Sequence, residues 1–367
     1  MTKEETGRGD RPTAIENQGS RLIKRAIRPL VAIRPEITAI CAGFLVGAIV
    51  VWVTGHPVVE TFYHLFRGAF GSRIAIGMTL TRATPIIFTG LAVAIAFKCG
   101  LFNIGAEGQL QVGAFAAAWV GIALPPMPPV IHISLAFAAG AAAGLLWAVV
   151  PAVLKVTRGA HEVVTTMMLA HVGILLASYL VTGPFKDPGP VPQTEWIAST
   201  AQLTRLLPPT QLSTALFVAL LCAIAVYLFL WKTSPGYAIR AAGLNPKAAE
   251  AGGVPVARSI MLALLLSGAL AGLGGAGEIL GVFHRFIDGF SPGYGWTGIG
   301  VALVGRMHPL GVILAAVLFG ALRAGGGTVA RAVGVPLDIT VVIQGTIILF
   351  IAAQRMTEFL WERRRKK

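Results

Sequence analysis

Between Lys232 and Arg258 the chain reads KTSPGYAIRAAGLNPKAAEAGGVPVAR, and apolar runs long enough to cross a bilayer flank this polar stretch on both sides. Its four basic residues place it in the cytoplasm by the positive-inside rule. The Asn-Pro pair at Asn245 sets a helix cap and first turn, and Lys-Ala-Ala-Glu after it predicts a short helix over residues 245–250. A structured loop between membrane spans indicates a surface for a cytoplasmic partner.

The composition indicates an integral membrane protein. Of 367 residues, 55% are hydrophobic and only 13% are charged, against about 25% charged in soluble domains. The net charge of +14 could suggest nucleic acid, but eight basic residues lie in the first 36 positions and six lie after Gln354. Basic tails of this kind are typical of membrane topology and contact with anionic lipids. The sequence therefore predicts a multi-pass protein of the plasma (inner) membrane with both termini in the cytoplasm and no nucleic-acid partner.

Three parts follow along the chain. A basic cytoplasmic tail (1–36) precedes a polytopic transmembrane domain (37–353), and a second basic tail (354–367) ends the sequence. Inside the domain, 232–258 is the predicted cytoplasmic coupling loop and 182–211 a proline-rich external segment. The ten predicted spans are 37–53, 74–97, 102–124, 130–156, 163–181, 212–231, 259–281, 297–304, 310–324 and 337–353.

Glycine and proline interrupt the apolar pattern in both halves of the chain, at residues 81–85 with 100–108, and at 289–305. Paired interruptions of this kind predict an inverted-repeat transporter with a central site. The glycines of residues 268–277 predict close helix packing in lipid. The expected fold is an all-α integral membrane protein of about ten helices, some of them broken half-helices.

Polar residues within the spans are the candidates for a substrate pathway, because such groups are costly in lipid. One interpretation makes them the wall of a water-filled path; the other makes them caps and interhelical hydrogen bonds that only stabilise the fold. Both stay open. These polar candidates are Asn103, Glu107, Gln109, Glu162 and Thr166. Trp296 is a further candidate: with Tyr294 it follows Pro292, and the two are either interfacial aromatic residues or rings that stack on a flat ligand.

Several kinds of site are missing from the sequence. It contains no Gly-x-x-x-x-Gly-Lys-[Ser/Thr] loop for ATP and no motif for membrane catalysis, so no catalytic residue is assigned. His161 and His171 lie about 80° apart around a helix, and the three cysteines are scattered, so no metal site is expected.

Four segments together resemble the permease subunits of ATP-binding-cassette (ABC) importers, in the branch for simple sugars and nucleosides. Residues 100–111 are similar to its Phe-Asn-Ile-Gly-Ala-Glu-Gly-Gln signature, and 161–169 to its Glu-Val-Val-Thr-Thr-x-Met-Leu segment. Residues 237–254 resemble its cytoplasmic loop, and 267–277 its Ser-Gly-Ala-Leu-Ala-Gly run. The first two segments favour the nucleoside permeases. One departure concerns specificity: Ala170-His171 stands where the family usually has Asn and an aromatic residue.

The resemblance implies a non-catalytic translocation subunit that carries a nucleoside or related small solute. Its implied partners are two cytoplasmic ABC ATPases, a second permease (identical or paralogous) and an external substrate-binding lipoprotein. The chain itself would bind no cofactor, since ATP and Mg²⁺ belong to the ATPases. The residues implied to contact the ATPase are Arg240, Gly243, Asn245, Pro246, Ala249, Glu250 and Gly252.

The alternative from another class is a secondary transporter or channel that works alone. It explains the broken helices equally well but leaves the helical cytoplasmic loop without a role. A membrane enzyme is a third class, and the sequence offers no catalytic constellation for it.

Overall fold

The computed structural model describes residues 37–365, and side chains through residue 353. The predicted N-terminal tail and the side chains of the predicted C-terminal tail lie outside this description. A helix coincides with each predicted span, and within the described residues six helices are long and apolar enough to cross a membrane. The helices are α1 (Ile37–Val53), α2 (Val58–Phe70), α3 (Arg73–Lys98), α4 (Ala106–Ala123), α5 (Pro129–Arg158), α6 (Glu162–Thr182), α7 (Ala215–Lys232), α8 (Ser234–Leu244), α9 (Pro246–Ala251), α10 (Val256–Glu278), α11 (Tyr294–Val304), α12 (Pro309–Val333) and α13 (Asp338–Arg365).

Glycines bring α10 into close contact with α5 and α4. A Cβ atom on Gly268 or Gly272 of α10 would collide with main-chain atoms of Gly144 or Gly140 of α5. A Cβ on Gly275 would likewise meet the α4 backbone. Both helices carry a Gly-x-x-x-Gly pair at this crossing, which lets their backbones approach closely. Close approach adds van der Waals contacts between the helices, and these contacts stabilise helix pairs in lipid. The predicted packing role of residues 268–277 is confirmed.

The predicted interruption at residues 81–85 is wrong, because α3 runs through it as one helix with Pro85 inside. Proline removes one main-chain donor, yet hydroxyl groups next to it supply extra hydrogen bonds. Thr81 donates to the Gly77 carbonyl and Thr84 to that of Leu80, each at 2.8 Å. The most apolar stretch of α3 is also 83% buried. Packing on every side therefore holds the helix together despite its proline.

Two helices were not predicted. Helix α2 lies between α1 and α3, and α8 precedes the predicted short helix of the cytoplasmic loop. The short helix is confirmed as α9, and Asn245 caps it by accepting a hydrogen bond from Ala248 N at 3.1 Å. Helix α4 begins at Ala106 instead of 102, because residues 101–103 form no regular structure before it.

Candidate functional site

Two irregular connections lead into helices that start inside the bundle. The first connection, residues 99–105, joins α3 to α4. The second connection, residues 284–293, joins α11 to a five-residue π-helix (Ile279–Phe283) that extends α10. The first residues of both following helices, Ala106 and Tyr294, are buried. Both helices therefore present their N-termini to the protein interior.

Asn103 fixes the first connection with three hydrogen bonds. Its amide nitrogen donates to Gln109 Oε1 at 2.9 Å and to Ser267 Oγ at 2.8 Å. Its oxygen accepts from Gly105 N at 2.9 Å. Ser267 in turn donates to the Ala92 carbonyl at 2.7 Å, which links α3, α4 and α10. All of these polar groups are buried, so the network satisfies atoms that lipid would leave unpaired.

Thr166 and Glu162 lie on the opposite side of the first connection, in the first two turns of α6. Thr166 Oγ1 accepts from Ile104 N at 3.2 Å and donates to the Glu162 carbonyl at 2.7 Å. The Glu162 carboxylate pairs with Lys155 Nζ at 2.7 Å, across the turn between α5 and α6. Four of the six candidate residues thus hold helices to one another around this connection.

Glu107 occupies a different position, where the N-termini of α4 and α11 meet. It is 2% exposed, and Gly295 N donates to its Oε2 at 2.6 Å. The Cβ of a side chain on Gly295 would clash with the Glu107 backbone, so the two helix starts are in direct contact. Helix N-termini carry partial positive charge, and a carboxylate between two of them is stabilised by both. Arg323 adds a further favourable charge from α12.

A second group of charged residues surrounds Tyr294 and was not predicted as a site. Arg82 of α3 donates to the Tyr294 hydroxyl at 3.4 Å, and the Arg323 guanidinium lies 5.5 Å from the centre of its ring. Arg323 also donates to Thr297 Oγ1 at 2.7 Å. Glu278 is buried beside Arg82 and within hydrogen-bonding reach of the Tyr294 hydroxyl. We call Arg82, Glu107, Glu278, Tyr294 and Arg323 the central junction.

One sequence signal could have found this group: a charged residue inside a span marks a functional site by default. Arg82 lies in the predicted helix break at 81–85, Glu278 near the end of the predicted span 259–281 and Arg323 near the end of the predicted span 310–324. Tyr294 is 1% exposed, so it is neither an interfacial aromatic residue nor open to a ligand in this conformation.

Trp296, the last candidate, lies apart from the central junction. Its half-buried ring is 6.2 Å from the ring of His171 on an exposed part of α6, with 42° between the planes. The pair includes the histidine that departs from the family pattern. Trp296 and His171 therefore mark a partly accessible surface where α6 and α11 come together.

Main-chain hydrogen bonds join the external segment (182–211) to the second connection and to the π-helix before it. Thr194 N donates to the Phe286 carbonyl at 2.9 Å, Ile197 N to that of His284 at 3.0 Å, and Leu203 N to that of Leu280 at 2.8 Å. His284 has a left-handed backbone (φ 57°). Within the described residues, His284 Nδ1 and Arg285 Nε are buried without a hydrogen-bond partner. Burial, followed by the Arg205 charge, lowers the pKa of His284.

The predicted cytoplasmic loop (232–258) contains α8 and α9, joined at Asn245. A Cβ on Gly243 would collide with the backbone of residues 98–100, so α8 rests directly on the end of α3. Arg240 Nε donates to the Leu230 carbonyl at 2.9 Å, which fixes α8 to α7. Helix α9, by contrast, buries only Ala249. Of the other residues implied to contact the ATPase, Pro246 and Glu250 lie on α9, and Gly252 caps its end.

Trp231 connects this loop to the rest of the bundle. Its ring lies 5.6 Å from Lys98 Nζ and 5.8 Å from the Arg240 guanidinium. The His308 ring, at the start of α12, is 5.1 Å away on another side. Burial and the nearby Lys98 charge lower the pKa of His308, which favours the neutral imidazole in this ring contact. One side chain therefore lies against the end of α3, the middle of α8 and the start of α12.

Comparison with known proteins places this architecture in a family. Residues 75–352 match the family described as the permease component of branched-chain amino acid transport systems. The guanosine ABC transporter permease protein NupP of Bacillus subtilis is 37% identical over 351 residues, which cover 94% of this chain and 99% of that protein. The glucose ABC transporter permease protein TsgB13 of Haloferax volcanii is 35% identical, covering 89% of each chain. The nucleoside ABC transporter permease protein NupB of Lactococcus lactis subsp. cremoris is 32% identical, covering 88% of this chain and 92% of that one.

These matches extend over nearly the whole helical bundle, including both connections and the cytoplasmic loop. They favour a component of a larger transport system over a transporter that works alone. With its all-α fold and its apolar helices of membrane-spanning length, the chain belongs to this permease family and is the permease subunit of an ABC importer.

Proposed function

We propose that this permease carries a nucleoside, or a closely related heterocyclic solute, into the cell. The support is the nucleoside substrate in the names of two of its relatives. Because another relative is named for glucose, sugars are also candidate substrates and are included in the binding test below. The working complex contains two cytoplasmic ATPase subunits, a second permease that is identical or paralogous, and an external lipoprotein that delivers the solute. ATP and Mg²⁺ are bound by the ATPases.

The proposed topology has ten crossings, with both termini in the cytoplasm. The six helices of membrane-spanning length and composition supply six of them, and α1, α4, α11 and the apolar part of α13 (Asp338–Ala353) supply the other four. Lys98 and Arg240 both contact Trp231, so the end of α3 and the loop 232–258 share one end of the bundle. Basic residues at that end support a cytoplasmic assignment in the plasma membrane.

An inverted repeat is supported by the two connections. In each half a long helix, α3 or α10, is followed by an irregular stretch and then by a helix that starts inside the bundle. The N-termini of α4 and α11 meet at Glu107 and Gly295. Two half-helices that face each other with their N-termini are the arrangement expected where repeated halves surround a central site.

The observation that carries the proposed mechanism is the unequal attachment of the cytoplasmic loop. Helix α9 is almost fully exposed, and Leu244 beside it is 89% exposed, whereas α8 is fastened to α3 and α7. An ATPase that binds α9 can therefore move α8 and α9 together as a rigid lever (residues 234–251). Trp231 passes the movement to α3 and to the start of α12, whose displacement shifts α11 and opens the path alternately to each side.

The solute path runs, in this proposal, along the face of α6 that carries His171 and Trp296. These two rings are the partly accessible aromatic groups next to a helix that starts inside the bundle. A nucleobase has a flat π-face that stacks on such rings. The other polar candidates do not contact the solute in this proposal but hold α4 and α6 in position behind the path; they are Asn103, Gln109, Glu162 and Thr166.

The lever is tested by deleting residues 246–251 in the full transporter reconstituted in vesicles with its ATPases and binding protein. We expect ATP-driven uptake to fall to background while the permease still inserts and assembles. Lys247→Ala is the matched control, because it keeps the helix and removes one exposed side chain. Unchanged uptake after the deletion contradicts the lever. The substrate is identified separately, by thermal shift of the partner binding protein with nucleosides, purine bases, pentoses and glucose.

A further inference from the structure

A basic groove opens where α2, α3 and α12 come together at one end of the bundle. Its volume is about 540 Å³, and its lining includes His64 and Arg67 of α2 and Arg331 of α12. Ser72 and Met78, at the start of α3, line another wall. This groove is remote in sequence from both connections and from the cytoplasmic loop, and it belongs to none of the sites described above.

The groove carries uncompensated positive charge. Its lining includes two arginines and a histidine and no aspartate or glutamate. In the described part of the chain neither arginine forms an ion pair, and the polar side-chain partner of Arg67 is the neutral Tyr63 hydroxyl at 3.3 Å. His64 alone has an acidic neighbour, Glu60, at 3.8 Å. Guanidinium groups present donors in a planar fork that matches the oxygens of a phosphate.

The groove also lies near the helix ends, at the level where lipid headgroups are expected. It lies at the last turns of α2 and α12 and the first turns of α3, where the chain leaves the apolar part of the bundle. Met78 lies five residues into α3, about 8 Å deeper along the helix axis. Arg331 lies two residues from the end of α12 and Arg67 three residues from the end of α2, so both basic side chains come from the same end of the bundle as the groove.

Exposed apolar side chains continue the groove outward. Ile74, which lines the groove, and Phe70, next to the lining residue Gly71, are each about half exposed. In a membrane protein such side chains face lipid tails. A soluble anion would use the basic side chains alone, whereas a phospholipid would use the basic side chains for its phosphate and the apolar side chains for an acyl chain.

We propose that this groove binds one phospholipid through its phosphate group, with Arg67 and Arg331 as the anion ligands and one acyl chain along the start of α3. Anionic phosphatidylglycerol is favoured over zwitterionic phosphatidylcholine, because no lining carboxylate accepts a choline group. The bound lipid fastens α2 to the end of α12, the helix that also supplies Arg323 to the central junction.

The test uses native mass spectrometry of the purified complex, with its ATPases and second permease, after addition of phosphatidylglycerol. We expect one strongly retained lipid per chain, and a drop of about tenfold or more in its binding for Arg67→Gln/Arg331→Gln. The matched control is Arg158→Gln/Arg258→Gln, which removes two exposed arginines elsewhere and should leave retention unchanged. Arg67→Lys/Arg331→Lys keeps the charge and should retain part of the binding, so it decides the question if the glutamine pair fails to fold.

Three outcomes would overturn the proposal. The first is equal retention of phosphatidylglycerol by the wild-type chain and the glutamine variant. The second is equal protection against thermal unfolding by inorganic phosphate, which would identify a free anion as the ligand. The third is loss of the second permease from the glutamine variant with lipid retention unchanged, which would make the groove a protein interface.

Discussion

The two connections that lead into α4 and α11 are built in opposite ways. The first is seven residues long and is fixed by the buried side chain of Asn103, whose three hydrogen bonds reach α4, α10 and its own turn. The second is longer and is held mainly by main-chain bonds to an external segment, with left-handed residues at His284, Gly289 and Gly293. It has two side-chain links to helices, from Ser178 of α6 to the Asp288 carboxylate at 3.0 Å and from Arg323 of α12 to the Pro292 carbonyl at 3.3 Å. It also leaves two buried nitrogens unpaired within the described structure.

This difference indicates which of the two helix N-termini, that of α4 or that of α11, can move. A connection whose polar atoms are all paired inside the bundle resists displacement, because each broken bond leaves a group unpaired in a low-dielectric interior. A connection held to an external segment moves with that segment. We therefore expect α4 to be the fixed partner and α11 the moving partner where the two N-termini meet at Glu107.

The largest effect should come from breaking the first connection with Asn103→Ala. The substitution leaves Gln109 Oε1 and Gly105 N without their partners, at a cost of about 4 kcal/mol for two buried groups. Thermal unfolding in detergent and the yield of assembled complex measure the loss. Asn245→Ala is the matched control, since it removes only an exposed helix cap worth about 1 kcal/mol. Equal losses for the two variants would contradict the role given to Asn103.

Glu107→Gln tests whether the two helix starts act together. Glutamine keeps an oxygen that can accept from Gly295 N but replaces the other carboxyl oxygen with an amide group at the contact between two helix N-termini. We expect normal assembly with about tenfold slower uptake, since the interaction of an acidic group with a helix N-terminus contributes up to about 2 kcal/mol. Vesicle uptake is the measurement, and Glu195→Gln, on the external segment, is the control. Unchanged uptake would show that the carboxyl group at this contact is not needed.

Gly289→Ala probes the backbone of the second connection. Gly289 has φ 69° with open space around it, so a methyl group meets no neighbour and the cost is backbone strain alone, about 1 kcal/mol. The midpoint of thermal unfolding should fall by a few degrees. Gly345→Ala, within α13 and also in open space, should leave the midpoint unchanged or raise it slightly. A larger decrease in the unfolding midpoint for Gly345→Ala than for Gly289→Ala would contradict this prediction.

The smallest expected effect is a dependence on pH that belongs to the second connection. Burial, with the Arg205 charge, lowers the pKa of His284 from its ordinary value of 6.5. Below that value the unfolded chain takes up a proton that the folded chain does not, so stability is complete above it and decreases as the pH falls through it. Thermal unfolding from about pH 7.5 to about pH 5.5 should show this decrease in the wild-type chain, and His284→Gln should make it smaller. An identical pH dependence in both proteins would exclude His284 as its source.

Local sequence signals predicted the local structure well. Asn245-Pro246 gave the helix start of α9, and the glycines of 268–277 gave the tight crossing with α5, because capping and backbone approach depend on nearby residue types. The same local reasoning failed at Pro85, where burial on all sides outweighs the cost of proline in a helix. It also left open what Asn103 does, since a buried amide stabilises a fold or lines a path according to its neighbours.

The sequence by itself indicated that this protein crosses the membrane and that it belongs with transporter permeases, and it predicted which end of the bundle faces the cytoplasm, because hydropathy, charge placement and short motifs are properties of contiguous residues. Only the tertiary structure decided that Arg82, Glu107, Glu278, Tyr294 and Arg323 come together from five helices. Such contacts depend on which glycine-lined faces pack and on where each helix starts inside the bundle. No local pattern contains that information, because the partners are separated by up to about 240 residues of chain.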